Sequence, residues 1–342
     1  MAITIKDVAR AAKVSVASVS RALNGHRSMA ADTRKRILAA AKKLHYTPHS
    51  AARTLITRRT QTIGTLLPDL HGEFFSELIR GIDLAARARG LHLLVSSSHG
   101  NAAEAAAALH AMQGRVDGLL LMSPYLDASL LRRNLRSDLP IVLMNTPLKR
   151  ERCAVLNVDN YGGAFAMVQH LVASGRRRIA LIAGPERNFD ASERLRGYTA
   201  AMARFAPSIP LQVLDGDFTE ESGHDAARRL LANRLRPQAV FATNDMMAVG
   251  CLYAFREGGV RVPGDIAVTG FDDIPFARLI APALTTVRVR IADFGARSLE
   301  RLVAMIDDRA DAAREKHAQL LGTELVVRQS CGAKDVVSAA VA

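Results

Sequence analysis

The 342-residue sequence contains no tryptophan, three cysteines and no run of eighteen apolar residues. Without such a run it has no candidate transmembrane helix. Its opening residues also lack the apolar stretch and small-residue cleavage site of a secretion signal, so we expect a cytoplasmic protein. Cys153, Cys251 and Cys331 form no C-x-x-C pair and have no histidine cluster beside them. We therefore expect reduced thiols, with neither a metal site nor a cofactor.

The signature motifs of several enzyme classes are absent as well. The sequence has no G-x-G-x-x-G after a strand-like run, no G-x-x-x-x-G-K-[ST], no H-E-x-x-H and no G-x-S-x-G. The adjacent carboxylates of Asp272 and Asp273 would suit acid–base chemistry, but the sequence assigns them no partner. It therefore predicts that the chain is not an enzyme.

Positive charge is concentrated at the start of the chain. Residues 1–60 carry thirteen Lys or Arg and two Asp or Glu, a net charge of +11. The other 282 residues carry 33 basic and 31 acidic side chains, a net charge of +2. Such concentration in one short segment indicates a module that binds a polyanion.

This basic segment is predicted to form three short helices. Residues 4–7 fit a capping box at the start of the first helix. Lys13-Val14-Ser15 is a three-residue turn, and Ser15 is placed to cap a second helix over residues 16–23. Asp32 is predicted to cap the third, and Pro48 ends the unit. Two short helices joined by a tight turn and braced by a third are the layout of a helix-turn-helix DNA reader.

The pattern changes to alternating strands and helices from Thr62 onward. Near-continuous apolar runs alternate with amphipathic or alanine-rich helical stretches, which is typical of parallel sheets covered on both faces. The number of runs favours two sheets over one. The predicted strands lie at 62–67, 91–95, 117–122, 141–144, 153–158, 179–183, 238–242, 266–270 and 284–289.

Several motifs together resemble those of the lactose/galactose repressor family of bacterial transcription regulators. The resemblance spans about residues 3–330 in consistent order, and the motifs are IKDVARAAKVSVASVSRALNG, YTPHSAARTL, RLRGY, FATNDMMAVG, RVPGDIAVTGFDD and PALTTV. It implies an α plus α/β fold: a helix-turn-helix headpiece, a hinge helix, and a two-lobed core of Rossmann-like subdomains similar to periplasmic binding proteins.

The resemblance also implies domain boundaries. The headpiece would occupy residues 1–48, the hinge helix and linker 49–60, the core 61–330 and a short tail 331–342. Within the core, the N-lobe would comprise about 61–160 and 291–321, and the C-lobe about 161–290 and 322–330.

The same resemblance places the second helix in the major groove of DNA. An arginine there can make a bidentate contact to guanine, so Arg21 is the best candidate for reading sequence. In the family, a leucine of the hinge helix wedges into the minor groove, and Leu55 matches it. His49 departs from the Asn that usually follows the proline. The predicted DNA-binding residues are Thr4, Ser15, Val16, Ala17, Ser18, Ser20, Arg21, Asn24, Ala52 and Leu55.

A small-molecule effector is expected in the cleft between the lobes. Carboxylates, amides and an arginine beside aromatic rings suit a polyhydroxylated ring, because they pair with hydroxyls and cover an apolar face. The stretch His71-Gly72-Glu73 departs from the family's usual Asn-Pro before the paired phenylalanines. The predicted effector-binding residues are Asp69, Phe74, Phe75, Ser123, Asn145, Asp190, Arg194, Phe218, Asn244 and Asp272.

Together these features predict a repressor of carbohydrate-metabolism genes that is controlled by a sugar or sugar derivative. A homodimer on a pseudo-palindromic operator is expected, since one headpiece reads one half-site. A regulator of the same fold that answers to a protein partner or to a non-sugar metabolite is the alternative. The sequence leaves open whether the effector is an inducer or a corepressor.

The concentrated charge predicts a steep salt dependence of DNA binding. If about six to ten phosphates are contacted, operator affinity should fall by roughly three to five orders of magnitude between about 50 and about 200 mM salt, because bound counterions are released. Operator titrations over a salt series measure the slope. A flat dependence in the intact protein would rule out the proposed role of the basic segment.

Overall fold

The computed structural model of the chain describes residues 3–23, 29–46, 59–122, 133–134, 139–147, 153–233, 235–307 and 318–333. Its contacts divide the chain into two compact units, Met1–Thr60 and Gln61–Ala342. The predicted DNA contacts Asn24, Ala52 and Leu55, the predicted effector contact Ser123 and nearly all of the predicted hinge lie outside the described residues.

The first unit contains three helices: α1 (Ile5–Ala12), α2 (Val16–Leu23) and α3 (Ala31–Lys43). Small and β-branched residues from all three close its core, with Val8, Val19 and Ile37 fully buried. The capping box of α1 is present, as the backbone N–H of Thr4 donates to the Asp7 carboxylate at 2.9 Å. The expectation for α3 was wrong: Ala30 is its N-cap, and Asp32 is the second residue of the helix. Its charge within the first turn favours the helix N-terminus.

The second unit contains two six-stranded sheets. The first sheet has the strand order β11-β5-β4-β3-β1-β2 and the second β12-β10-β9-β8-β6-β7. All pairs are parallel except β10 with β12. The strands are β1 (Thr62–Leu67), β2 (His92–Ser97), β3 (Gly118–Met122), β4 (Ile141–Met144), β5 (Cys153–Val158), β6 (Ile179–Ile182), β7 (Gln212–Leu214), β8 (Ala239–Ala242), β9 (Ala267–Asp272), β10 (Thr285–Arg288), β11 (Gln319–Leu321) and β12 (Glu324–Val326).

Helices flank both sheets, and the apolar strands between them are buried on both faces, as β3, β4, β6 and β8 show along their whole length. The helices of this unit are α4 (Glu73–Arg87), α5 (Ala102–Met112), α6 (Asn160–Ala173), α7 (Phe189–Phe205), α8 (Glu220–Ala232), α9 (Asp245–Glu257) and α10 (Ile291–Asp307). No helix of the described residues is long and apolar enough to cross a membrane.

The chain crosses between the two sheets three times. It leaves the first sheet between β5 and α6, returns to it between β10 and α10, and leaves again between β11 and β12. Each sheet with its helices therefore forms one lobe, which we call the first and second lobes. This topology brings the carboxyl ends of the parallel strands in the two lobes to a shared cleft.

Candidate functional site

A cleft of about 840 Å³, including the part open to solvent, lies between the lobes. Its walls are built from residues that follow the carboxyl ends of β1, β3, β6, β7, β8 and β9. From the first lobe these are Pro68, Asp69, His71, Gly72, Glu73, Phe74, Phe75 and Met122; from the second they are Asn188, Asp190, Arg194, Asp217, Phe218, Thr219, Glu220, Asn244, Met246, Asp272 and Ile274.

A buried guanidinium organises the second-lobe wall. Arg194, which is 4% exposed, donates from Nε to Oδ1 of Asn160 at 2.8 Å and from Nη2 to Oδ1 of Asp272 at 3.0 Å. Its Nη1 donates to the carbonyl oxygen of Thr243. The planar group also lies 3.8 Å from the ring centroid of Phe271. These contacts hold the arginine in one orientation, because each arm of its fork has a partner.

The network continues from Arg194 across to the first lobe. Asn160 donates from Nδ2 to Oδ1 of Asp190 at 2.8 Å, and Asn145 donates to Oδ2 of the same carboxylate at 3.1 Å. Asn145 follows β4 of the first lobe, whereas Asp190 is in the first turn of α7 in the second. A second bond between the lobes runs from the backbone N–H of Phe276 to Oε2 of Glu73 at 3.0 Å. The lobes are thus joined by polar contacts that a ligand in the cleft could alter.

Burial sets the protonation of the two carboxyls nearest Arg194. It raises the pKa of Asp190 and that of Asp272 to about 6, and the positive charge of Arg194 opposes this rise in both cases. Asp245, which lies behind the wall, has its pKa raised by burial as well. Its carboxylate accepts from the Thr286 hydroxyl at 2.6 Å and from the backbone N–H of Ile274 at 2.9 Å, so it supports the loop that follows β9.

Most of the residues predicted to bind an effector lie together in this cleft: Asp69, Phe74, Phe75, Asp190, Arg194, Phe218, Asn244 and Asp272. Asn145 does not line it; the side chain is 1% exposed and contacts Asp190 from behind. We did not predict Asn160, Asp217, Thr219 or Glu220. A signal was available, since Asp217 and Thr219 are polar residues after an apolar run, but that run, β7, is three residues long.

Two of the predicted residues also have structural roles. Asn244 caps α9 by accepting from the backbone N–H of Met247 at 2.9 Å, and its Nδ2 donates to the carbonyl oxygen of Phe218 at 2.9 Å. Asp69 accepts from the backbone N–H groups of Leu70 and His71 and so shapes its own loop. A ligand that bonded to the Asn244 amide would have to replace one of these contacts.

The exposed face of α2 is the candidate DNA-reading surface in the first unit. Val16, Ala17 and Arg21 are all exposed there, and Arg21 follows Ala17 by one helical turn. Nε of Arg21 lies 3.4 Å from the carbonyl oxygen of Ala17, which leaves the rest of the fork directed away from the core. Ser15 caps the helix by accepting from the backbone N–H of Ser18 at 3.1 Å. An arginine on an exposed helix face beside small residues is suited to reach base edges.

Asp272→Asn should flatten the pH dependence of stability between about pH 4 and pH 6. The folded protein raises the pKa of this carboxyl from 3.8 to about 6, so the folded state binds the proton more tightly than the unfolded state. Stability contributed by this group therefore falls as the pH rises through that window and is constant above it, a difference of about 3 kcal/mol.

Urea unfolding at a series of pH values measures this slope in the wild type and the variant. Asp265→Asn is the control, because the pKa of that exposed carboxyl is lowered to about 2 by hydrogen bonds from Arg261 and its stability effect has the opposite sign, at lower pH. An Asp272→Asn slope equal to that of the wild type would contradict the assignment.

Comparisons with known proteins agree with this architecture. The model of bacterial regulatory proteins of the lacI family matches residues 4–49, and that of the periplasmic binding protein-like domain matches residues 168–331. The HTH-type transcriptional repressor PurR of Photobacterium profundum is 34% identical over 330 residues, 96% of this chain and 98% of the relative. Catabolite control protein A of Priestia megaterium is 32% identical over 88% of this chain and 92% of its own.

A solved structure of the lac repressor dimer bound to operator and the anti-inducer ONPF superimposes with a TM-score of 0.87. It is 29% identical and covers 97% of this chain and 100% of its own. The curated relatives are regulators and not enzymes, which confirms the prediction from the missing catalytic motifs. The chain belongs to the lacI family of bacterial regulatory proteins, and it is a DNA-binding transcriptional repressor.

Proposed function

We propose that this repressor binds an uncharged sugar or sugar derivative in the cleft between its lobes, and that the sugar changes its affinity for a pseudo-palindromic operator. The observation that carries this proposal is the buried network of Asp190, Arg194 and Asp272 at the base of the cleft. Its carboxylate oxygens and remaining guanidinium N–H groups suit ring hydroxyls, which both donate and accept.

Aromatic rings complete the proposed sugar site. Phe218 lies 6.0 Å from the Arg194 guanidinium, and the Phe74 and Phe75 rings meet edge to face with centroids 5.4 Å apart. All three line the cleft, Phe74 and Phe75 from the first lobe and Phe218 from the second. Flat apolar faces beside fixed polar groups are the usual composition of a small-molecule site.

The charge of the cleft favours an unphosphorylated ligand. Among the described lining residues, carboxylates outnumber guanidinium groups, and Arg194 already has three hydrogen-bond partners. The carboxylates are those of Asp69, Glu73, Asp190, Asp217, Glu220 and Asp272. A phosphate ester would enter this negative field, and the described residues of the lining include no lysine and no second arginine to meet it, which costs binding energy.

Solved relatives support a sugar ligand. One is described as the transcriptional regulator CelR in complex with cellobiose, and it is 31% identical with a TM-score of 0.70. Another, a regulator from Enterococcus faecium with bound ribose, is 25% identical with a TM-score of 0.68. A planar non-sugar metabolite is the second candidate, because the same aromatic faces would stack on a heterocycle.

We further propose that the repressor acts as a homodimer on DNA in the cytoplasm and controls carbohydrate-metabolism genes. Large apolar side chains are exposed on the second lobe: Leu279 is 72% exposed, Tyr253 48% and Phe276 44%. Tyr253 lines one surface depression with Ile280, the residue after Leu279. A contiguous exposed apolar patch is typical of a protein–protein interface. The lac repressor relative is a dimer on its operator. Operator titrations with and without sugar decide whether the sugar weakens or strengthens DNA binding.

Arg21→Ala should separate reading of sequence from general attraction to DNA. Loss of a bidentate base contact is expected to cost about 1–3 kcal/mol on the specific operator and much less on random DNA. Fluorescence anisotropy with an operator selected from a random library and with a scrambled duplex measures both affinities. Lys6→Ala is the control for a merely electrostatic contribution, and equal losses on both duplexes from Arg21→Ala would refute base reading.

Arg194→Lys should move the response to sugar to at least about tenfold higher concentrations while leaving operator binding without sugar intact. Lysine keeps the charge but lacks the planar fork, so the loss of one or more charge-assisted bonds of about 1.5–3 kcal/mol each should weaken sugar binding by at least about tenfold. A thermal-shift screen of free sugars and their phosphates identifies ligands, and operator titrations with and without each ligand then measure the response.

The matched control is Arg196→Lys. Arg196 is on the same helix but is 60% exposed in its side chain and pairs with Glu193, away from the cleft. Operator binding by the Arg196→Lys variant should respond to sugar as that of the wild type does. A phosphorylated sugar that stabilises the protein more than its free form would refute the charge argument, and an Arg194→Lys variant that still responds at wild-type concentrations would refute the site.

A further inference from the structure

The carboxylates of two consecutive residues at the end of β9, Asp272 and Asp273, contact different parts of the protein. Asp272 contacts Arg194 at the base of the cleft, at 3.0 Å. Asp273 instead contacts Arg288 and Arg328, outside the cleft lining. Both residues have positive φ values, 110° for Asp272 and 55° for Asp273. Non-glycine residues adopt this region at a cost, so two in a row indicate a conformation that the surrounding contacts impose.

Two arginines hold the Asp273 carboxylate, and we call the group of Asp273, Arg288 and Arg328 the clamp. Nε of Arg288 donates to its Oδ2 and Nη2 of Arg328 donates to its Oδ1, both at 2.6 Å. The Asp273 side chain is 9% exposed and that of Arg328 16%. Arg288 also reaches Glu324 at 3.3 Å. Short charge-assisted bonds to both oxygens of a nearly buried carboxylate are among the strongest that a protein makes.

One partner of the clamp, Arg288, lies at a crossing between the lobes. Arg288 is the last residue of β10, directly before the chain passes into α10 of the first lobe. Glu324 is the first residue of β12, directly after the chain returns from β11. The carboxylate of Asp273 therefore ties Arg288, at the crossing from β10 into α10, directly to the end of β9, one peptide bond away from the cleft. The crossing from β11 into β12 is reached only through Arg288 and Glu324, because Arg328 follows the end of β12.

We propose that Asp273 is a positioning residue that transmits a change at Asp272 in the cleft to the angle between the two lobes. The inference rests on the proposed function, because it assumes that occupancy of the cleft acts at Asp272. A displacement of Asp272 must move the next residue along the constrained backbone, and Asp273 then shifts Arg288 at the crossing into α10. A ligand biases such an element only by its different affinity for the two arrangements.

An ion pair that only stabilises the fold would not behave in this way. Removing one partner of a nearly buried pair lowers stability whatever the function, so a fall in melting temperature cannot decide the matter. The decisive readout is the distance between the lobes, and whether a change at Asp272 alters it only when the Asp273 carboxylate is present.

This distance is measurable in the full chain without any ligand. Spin labels at Ala103→Cys in the first lobe and Ala232→Cys in the second, both at exposed helical positions, report it by double electron–electron resonance. Cys153→Ser removes the partly exposed native thiol, and Cys251 and Cys331 are buried. An excess of unlabelled chains ensures that each dimer carries one labelled pair.

The experiment compares Asp272→Asn in chains with Asp273 and in chains with Asp273→Asn, as a double-mutant cycle. Asparagine tolerates positive φ, so the backbone is retained while the charge is lost. We expect Asp272→Asn to shift the mean distance when Asp273 is present, and the shift to disappear with Asp273→Asn. Arg288→Gln should abolish the shift in the same way, and Asp265→Asn, which breaks an exposed pair in the same lobe, should leave it intact.

An equal shift in both backgrounds would overturn the proposal, and so would the absence of a shift in the chain with Asp273. If Asp273→Asn fails to fold, Asp273→Glu retains the charge on a longer arm and should itself displace the mean distance; no displacement would again overturn it. Because no ligand is used, a failure of the sugar proposal would show in the thermal-shift screen and not in these distances.

Discussion

The burial of one arginine is the constraint around which the second lobe is arranged. A guanidinium that is 4% exposed loses its hydration, and this loss must be offset by hydrogen bonds and opposite charge. Asn160, the Thr243 carbonyl and Asp272 supply them, and the Phe271 ring covers one face. The site that results is rigid before any ligand enters, which lowers the entropic cost of binding.

The same constraint reaches beyond the cleft wall. Asp190 and Asp272 remain close to a single cation, and burial raises the pKa of both to about 6. Through Asn145, Asp190 also connects the second lobe to the first. Through the adjacent Asp273, the end of β9 is tied to Arg288 at the crossing into α10. The cleft wall, a contact with the first lobe and the end of β9 are therefore connected through neighbouring polar groups.

The two units differ in their cores and in their net charge, and each combination suits a different role. The first unit has a small core of short side chains and a highly basic surface, which suits attraction to DNA more than intrinsic stability. The second has two parallel sheets buried on both faces and a nearly balanced charge, which suits a scaffold that holds a polar cleft between two rigid bodies.

Local sequence patterns predicted most of the strands and two of the helix caps of this protein. The continuous apolar runs identified nine strands, because a strand buried on both faces must be apolar throughout. The capping residues of α1 and α2 could also be predicted, because a cap is a local interaction. Strands β7, β11 and β12 were missed, since three-residue strands at or near sheet edges carry no periodic signal. Asp32 was predicted as the cap of α3 but lies two residues after it, because the pattern does not distinguish a cap from an acidic residue within the first turn.

The site shows the same division. Motifs placed Arg194, Asn244 and Asp272 in the cleft, since polar residues after parallel strands converge at one edge. Only the tertiary structure decided that Asn145 lies behind Asp190, that Asn160 bridges it to Arg194, and that Asp273 faces two arginines 15 and 55 residues away in sequence. The physical reason is that a side chain's role depends on which distant groups burial leaves as its partners, and no local pattern of residues encodes those partners.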